Sequence, residues 1–210
     1  MTESSLQALD VLRKTNNVQW YIVPLLVLVI YVYVNEIEKK NWSAVLLGIS
    51  ASAGEFIWEM FNACVLHFSG HAPLWGTPGG NSSYVLYVGL NIEIIFFFAM
   101  AGVILVKALP AQRNLKILGV PNRIFIPTCL GLLSVGVETL LNRAGLLTWD
   151  WVWWGWPHVW LIICAYCGFF LFLAWCHDHF SLRTKAYTAV LLPIAAICCH
   201  IVLTDVLGWI

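Results

Sequence analysis

The stretch WSAVLLGISASAGEFIWEMFNACVL, residues 42–66, decides the fold class of this 210-residue chain. A transmembrane helix needs about 20 mostly apolar residues, and the charged residues inside this stretch are only Glu55 and Glu59. Those two acids and Asn62 are spaced so that a helix places all three on one face, with Trp58 beside them. The stretch therefore predicts a membrane-crossing helix that carries two carboxyl groups within the bilayer.

The composition of the whole chain supports a membrane protein. It is 60% hydrophobic and 10% charged, whereas a soluble domain carries about 25% charged residues. The formal net charge is zero, so no nucleic acid is expected as a partner. The expected partners are membrane lipid and a lipidic small molecule.

Apolar segments of helical length recur along the chain. They predict an all-α, polytopic transmembrane helical bundle with six spans, and with a seventh only if the N-terminal segment inserts. Residues 1–18 are interpreted as an amphipathic or disordered lead-in, and residues 19–210 as a single transmembrane helical domain. The six spans are predicted at roughly 19–35, 42–66, 83–106, 123–142, 157–176 and 184–207.

Lysine and arginine are unequally divided between the two sides of these spans. Because cytoplasmic loops carry an excess of Lys and Arg, the richer side is predicted to be cytoplasmic, which places both termini on the non-cytoplasmic side of an integral, multi-pass membrane protein. The poorer side holds Arg13, Lys14 and Arg143. The richer side holds Lys39, Lys40, Lys107, Arg113, Lys116, Arg123, Arg183 and Lys185.

Acidic side chains from four predicted spans share the outer half of the bilayer. Glu93 is expected about three turns into the third span, where Tyr84, Tyr87 and Asn91 would mark one helix face. Few ionisable groups are expected in the inner half. The other polar residues of the outer half are Glu55, Glu59, Glu138, Asn142, His200 and Asp205.

Burying these acids suggests a function. An ionisable residue in a span is costly unless it is neutral or paired, and no Lys or Arg is predicted nearby. Apolar surroundings and neighbouring carboxyls favour the protonated form, and a neutral buried carboxyl is a ready general acid. The alternative is that the acids and their neighbouring asparagines only hydrogen-bond across helices and hold them together.

Aromatic residues could complete such a site, because the faces of aromatic rings attract cations. Many of the twelve tryptophans are expected to form an interfacial belt instead. The residues that could line a cavity beside the acids are Trp58, Phe61, Trp75, Phe96, Phe97 and Trp149.

Histidine spacing gives a weaker indication of a metal site. His67 and His71 are four residues apart, which suits metal ligation on a helix. Gly70 and Pro73, however, predict that the helix ends there. No metal site and no cofactor are therefore predicted.

Two stretches resemble families that act on prenyl lipids. The segment from Lys39 through NWSAVLLGISASAGEFIWEMFN, with its Trp58-Glu59 pair and Phe61, resembles the second helix of small integral-membrane terpene cyclases of the fungal meroterpenoid type. YVGLNIEIIFF resembles the helix that follows. The resemblance implies that Glu59 takes part in protonating the substrate together with Asp205. NRAGLLTWDWVWWGWP is more similar to membrane enzymes of carotenoid pathways.

These observations predict a metal-independent membrane enzyme that cyclises or isomerises an isoprenoid lipid by acid catalysis. Glu59 would be the main proton donor, Glu55 or Glu138 its partner, and Glu93 or Asp205 a base or relay. Asn62 and Asn142 would orient the acids, and Trp58, Phe61, Trp75, Tyr87, Asn91 and Trp149 would contact the substrate. The alternatives are a proton-coupled transporter and a structural subunit of a membrane complex.

Overall fold

The computed structural model describes residues 1–15, 19–78 and 82–210, and these residues are mainly helical. Two antiparallel β-hairpins, each of two short strands, join some of the helices. The helices are α1 (Glu3–Val11), α2 (Ile22–Glu38), α3 (Trp42–Ser69), α4 (Ile92–Ala108), α5 (Asn122–Arg143), α6 (Trp160–His179) and α7 (Leu182–His200), which a π-helix continues over Ile201–Val206. The strands are β1 (Val85–Tyr87), β2 (Leu90–Asn91), β3 (Lys116–Ile117) and β4 (Val120–Pro121).

Among the described residues, four helices are long and apolar enough to cross a membrane: α3, α5, α6, and α7 with its π-helical extension. The helices α2 and α4 have 17 residues each. At 1.5 Å per residue they are about 25 Å long, which is shorter than the ~30 Å hydrocarbon core. The prediction of a helical membrane protein is confirmed, and the structure provides four candidate spans where the sequence predicts six.

The central helix of the bundle is α3, which packs against α4 and α7, while α2 packs on α4. The helices α5 and α6 pack mainly against each other and form a hairpin that makes few contacts with the rest. Close packing of α3 on α4 depends on Gly102, because a Cβ atom there would stand 2.9 Å from Cα of Gly48 and from the Leu47 carbonyl oxygen. Small residues at such crossings let helix backbones approach closely in membranes.

The two ends of the bundle differ in charge. At one end, named here the basic end, Lys107 donates to buried Glu36 at 2.7 Å, and Arg123 binds Asp178 at 2.8 Å. Buried Lys185 also lies there and donates to Ser43 Oγ at 2.7 Å. The opposite end, at which α3 and α5 finish, is named the acidic end.

The predicted start of the third span is wrong. Tyr84, Tyr87 and Asn91 do not share a helix face, because β1 pairs with β2 through a turn at Val88 and Gly89. The helix α4 starts only at Ile92, where Asn91 caps it by accepting a hydrogen bond from Ile94 N at 3.0 Å. Asparagine is a favoured N-cap residue. Glu93 therefore lies in the first turn of α4 and not three turns into it.

The N-terminal segment forms α1 at the acidic end. Thr2 caps this helix, and its hydroxyl also donates to Asp150 Oδ2 at 2.8 Å in the loop after α5. Ser5 and Ala8 are the buried residues of α1. The predicted boundary of the lead-in, at residue 18, lies outside the described residues.

Candidate active site

A cavity of about 1360 Å³ lies between the α5–α6 hairpin and the helices α3, α4 and α7. It is larger than the roughly 300–1,000 Å³ of ordinary small-molecule sites, so it has room for a lipid-sized molecule. Apolar side chains form most of its lining. The acidic residues among its described lining are Glu55, Glu59, Glu93 and Glu138.

The cavity is lined in part by residues that are exposed at the surface of the bundle, including residues of α3 and α5. These two helices barely touch each other, and each contributes a lining residue that is itself exposed. Trp58 on α3 and Val137 on α5 are both 44% exposed. The cavity is therefore not fully enclosed by protein.

Glu59 is held in a fixed position by two N–H donors. Trp75 donates its indole N–H to Oε1 of Glu59 at 2.9 Å, and Asn62 Nδ2 donates to Oε2 at 3.4 Å. Asn62 itself bridges α3 and the following loop, because it donates to the Trp75 carbonyl at 2.8 Å and accepts from Leu74 N at 2.7 Å. Glu59 is 1% exposed, so this acid is buried, and each of its oxygens accepts one hydrogen bond.

Gly89, in the turn between β1 and β2, covers this arrangement. A Cβ atom at Gly89 would stand 2.3 Å from Asn62 Nδ2, 2.7 Å from Glu59 Oε2 and 2.9 Å from Trp75 Nε1. Only a residue without a side chain fits there. The backbone of the β1–β2 turn therefore packs directly against the hydrogen-bonded side chains of Glu59, Asn62 and Trp75.

Glu55 and Glu138 differ from Glu59 because they lack such partners. They are 8% and 7% exposed, and Glu55 lies close enough to Glu59 and Glu138 for their carboxyls to interact electrostatically. No described residue makes a hydrogen bond with Glu55, and Oε2 of Glu138 is buried without a partner. We call Glu55, Glu59 and Glu138 the carboxyl cluster.

Two aromatic side chains with polar groups stand beside Glu138. They are Trp149, in the loop after α5, and Tyr166 on α6. The indole Nε1 of Trp149 is also buried without a hydrogen-bond partner in the described structure. Most buried polar groups in folded proteins are hydrogen-bonded, so Oε2 of Glu138, which lines the cavity, is an atom that could pair with a ligand or, after a small shift, with the neighbouring Trp149 indole.

Glu93 lies apart from the carboxyl cluster, at the acidic end of the cavity. Its Oε1 accepts a hydrogen bond from the Tyr21 hydroxyl, and its Oε2 accepts one from Ser82 at 2.7 Å. Asn91 lines the cavity beside it. We call Tyr21, Ser82, Asn91 and Glu93 the outer mouth of the cavity.

Aromatic rings cover much of the cavity wall. Trp58 stacks on Trp75 with centroids 6.1 Å apart, and Trp154 lies 6.0 Å from Trp75 on its other side. Of the aromatic residues predicted to line a cavity, Trp58, Trp75 and Phe97 do so. Phe61 is exposed and stacks on Trp58.

Six of the predicted site residues do not line the cavity: Phe61, Asn62, Tyr87, Asn142, Trp149 and Asp205. Asp205 is exposed on the π-helix, and Asn142 donates to the Leu147 carbonyl at 3.1 Å instead of contacting an acid. The Tyr87 hydroxyl bonds His200 Nδ1 at 2.7 Å. The structure thus brings Glu55, Glu59 and Glu138 together and leaves Asp205 apart from them.

The histidines with metal-ligand spacing do not converge. His67 stacks on Trp209 with ring centroids 5.6 Å apart. His71 instead meets Trp151 edge to face, with ring centroids 4.9 Å apart. Within residues 1–15, 19–78 and 82–210, no group of three or more His, Cys, Asp or Glu side chains is arranged to hold a metal ion.

Sequence reasoning missed Gly89, Tyr166 and Trp154 as site residues. Tyr166 is the one polar side chain in the CAYC segment other than its cysteines, and its place in an apolar span was a usable signal. Gly89 gave no signal, because its contacts join segments that are distant in sequence.

Comparison with known proteins shows the family to which the chain belongs. Residues 2–205 match a family described as an uncharacterized membrane protein family. An uncharacterized protein of Archaeoglobus fulgidus is 40% identical over 178 residues, which cover 84% of each chain. No solved structure matches.

Proposed function

The chain belongs to this family of membrane proteins, and on that premise we propose that it is an enzyme that acts on an isoprenoid lipid within the membrane. The reaction would start with protonation of an alkene or epoxide by a carboxylic acid. The observation that carries the proposal is the unpartnered Oε2 of Glu138, which is buried beside Glu55 in a large, aromatic-walled cavity.

The hydrogen bonds suggest a division of roles within the carboxyl cluster. The sequence predicts Glu59 as the proton donor, but both oxygens of Glu59 accept N–H bonds. Oε2 of Glu138 has no hydrogen-bond partner in the described structure, and only Trp149 and Tyr166 stand beside this carboxyl, so Glu138 is the better donor. Glu59, held by Trp75 and Asn62, is the better acceptor of a proton.

The chemistry then needs only a proton to be given and taken back. The O–H bond of Glu138 breaks as a C–H bond forms on one alkene carbon, which leaves a cation on the other carbon. The rings of Trp58, Trp75 and Trp154 would stabilise that cation by about 0.5–2 kcal/mol each. Glu59 removes a proton from a neighbouring carbon, and the electrons of the broken C–H bond form the new double bond. A proton then returns from Glu59 to Glu138, which restores both carboxyls for the next turnover.

The alternative of acids as interhelical glue has less support. That role expects carboxyls to hydrogen-bond across helices, whereas Oε2 of Glu138 makes no such bond to a described residue. Membrane proteins retain buried acids because the acids serve a function.

Proton-coupled transport remains a second candidate because of one observation. The cavity extends past the acids to Ser50 and Thr188, whose hydroxyls lie 3.1 Å apart toward the basic end. Such hydroxyls could pass protons across the inner half, where the sequence predicts few ionisable groups.

We further propose six membrane crossings, with α2 and α4 as the two short ones. The charges at the basic end suit a cytoplasmic position by the preference of Lys and Arg for that side. Both termini would then lie on the non-cytoplasmic side.

The test is lipid profiling of membranes that express wild type, Glu138→Gln and Glu59→Gln at matched levels of folded protein. A prenyl-lipid product is expected with wild type and not with either variant, and in D₂O the product should gain deuterium at carbon. Asp205→Asn is the matched control, because Asp205 lies outside the cavity and should keep full turnover. Product formation by Glu138→Gln at the wild-type rate would overturn the proposal. Proton flux in liposomes without any product would favour transport.

A further inference from the structure

The charge of the cavity lining restricts the kind of substrate. Four glutamates line the cavity, and none of its described lining residues is Lys, Arg or His. Proteins recognise phosphates through Arg, Lys and backbone N–H groups. Two of the basic residues at the basic end are paired with acids there, Lys107 with Glu36 and Arg123 with Asp178.

The outer mouth offers hydrogen bonds of a particular kind. The carboxylate of Glu93 accepts from two hydroxyls, those of Tyr21 and Ser82, so the geometry around it already suits O–H donors. Asn91 uses its Oδ1 to cap α4, which leaves its Nδ2 as a donor with no hydrogen-bond partner among the described residues. A hydroxyl group of a ligand could therefore donate to Glu93 and accept from Asn91.

The remainder of the cavity suits an apolar chain. Along α6 its lining runs from Ile162 to Cys176, which at 1.5 Å per residue is about 21 Å. The carboxyl cluster lies beside this path, with Oε2 of Glu138 unpartnered. A ligand anchored at the outer mouth would thus place part of its chain against Glu138.

We propose that the outer mouth binds the uncharged, hydroxyl-bearing end of a long-chain isoprenoid alcohol and excludes phosphorylated forms of the same chain. The inference rests on the proposed function, because it assigns the substrate class of that site. Glu93 selects the head group by accepting its hydroxyl and repelling a phosphate. Glu138 acts farther along the chain.

Binding measurements test this selection. Purified full-length protein in neutral-lipid nanodiscs is titrated with tetraprenyl alcohol, tetraprenyl phosphate and the corresponding hydrocarbon. Wild type should bind the alcohol at least about tenfold more tightly than the phosphate, because a phosphate beside Glu93 places like charges together. The hydrocarbon should bind more weakly than the alcohol.

Two variants at one position give the sharpest comparison. Glu93→Gln should reduce the preference for the alcohol, and Glu93→Lys should reverse it in favour of the phosphate. Glu38→Lys makes the same charge change at an exposed position at the basic end, so it controls for the general effect of charge and should keep the wild-type preference. Gel filtration verifies folding, and Glu93→Gln alone still tests the inference if Glu93→Lys does not fold.

The outcomes separate this inference from the proposed function. Equal or tighter binding of the phosphate by wild type overturns the inference, as does an unchanged preference in Glu93→Gln, and neither result affects the acid chemistry. If the protein binds the alcohol selectively but forms no product, the inference about the ligand is supported and the proposed enzymatic function is rejected. Glu138→Gln should keep the alcohol preference, because Glu138 does not contact the head group.

Discussion

Gly89 lies so close to Glu59 that a methyl group on Gly89 would stand 2.7 Å from the Glu59 Oε2 atom. The two residues are thirty positions apart in the chain, and the β1–β2 turn brings them together. Glu59 can keep its position only because Gly89 has no side chain.

Gly89→Ala should therefore displace Glu59 and break its bonds with Asn62 and Trp75. Overpacking of this kind costs about 1–3 kcal/mol of stability, and product formation should fall more than the yield of folded protein does. Thermal unfolding in detergent and lipid profiling measure the two effects. Gly136→Ala is the control, because a Cβ atom at Gly136 meets nothing within 4 Å. Equal activity of Gly89→Ala and wild type would show that the position of Glu59 is unimportant.

Trp75→Phe removes the indole N–H that binds Oε1 of Glu59 and keeps an aromatic ring in the wall. The lost hydrogen bond should cost about 1–3 kcal/mol, because a buried acceptor is left unpartnered. Turnover should fall as Glu59 loses its position. Trp154→Phe is a matched change in the same wall, since Nε1 of Trp154 has no partner in the described structure, and it should cost little stability. Equal unfolding temperatures for the two variants would contradict this account.

Trp149→Phe removes a buried N–H that has no partner in the described structure. Loss of an unsatisfied donor should leave stability unchanged or raise it slightly. If the indole bonds Glu138 or the ligand during turnover, product formation should fall nonetheless. Unfolding temperature and turnover, measured on the same preparation, should thus change in different directions. A fall in both would indicate that Trp149 only supports the fold.

Gly102→Ala should push α4 away from α3. The added Cβ would meet backbone atoms of Gly48 and Leu47, which cannot rotate away as a side chain could. We expect a loss of about 1–3 kcal/mol in unfolding free energy. Gly168→Ala, at a helix position where a Cβ meets nothing within 4 Å, should stabilise the helix by about 0.5–1 kcal/mol. Denaturant titrations in detergent compare the two variants, and similar midpoints would exclude close packing at Gly102.

The sequence predicted the long helices better than their connections. The predicted span at 42–66 corresponds to α3 (Trp42–Ser69), because its apolar run is long and nothing inside it favours a turn. The start of α4 was predicted too early because residues 84–91 are as apolar as a membrane-spanning segment. The structure instead forms a turn at Gly89, and Asn91 caps the helix. Hydrophobicity predicted a helix over these residues, whereas the glycine and the capping asparagine favoured a turn, and the local preferences prevailed.

The carboxyl cluster was partly predictable for a geometric reason. Helical spacing places Glu55 and Glu59 on one face of α3, and depth in the membrane places Glu138 at their level. Their partners were not predictable, since Trp75 and Gly89 reach Glu59 through the fold of two loops. Asp205 was predicted at the end of a regular span, whereas it lies on the π-helix Ile201–Val206, which changes the direction in which side chains point relative to an α-helix.

The weak packing between the α5–α6 hairpin and the rest of the bundle has a thermodynamic consequence. The cavity occupies the boundary between these two parts, so a bound lipid would contact both and link them. A ligand that binds only the folded state adds about 2.7 kcal/mol of stability at a concentration a hundred times its Kd. An occupant of the cavity would in that sense be part of the folded protein's core, and a lipid carried through purification would raise the temperature at which the protein unfolds.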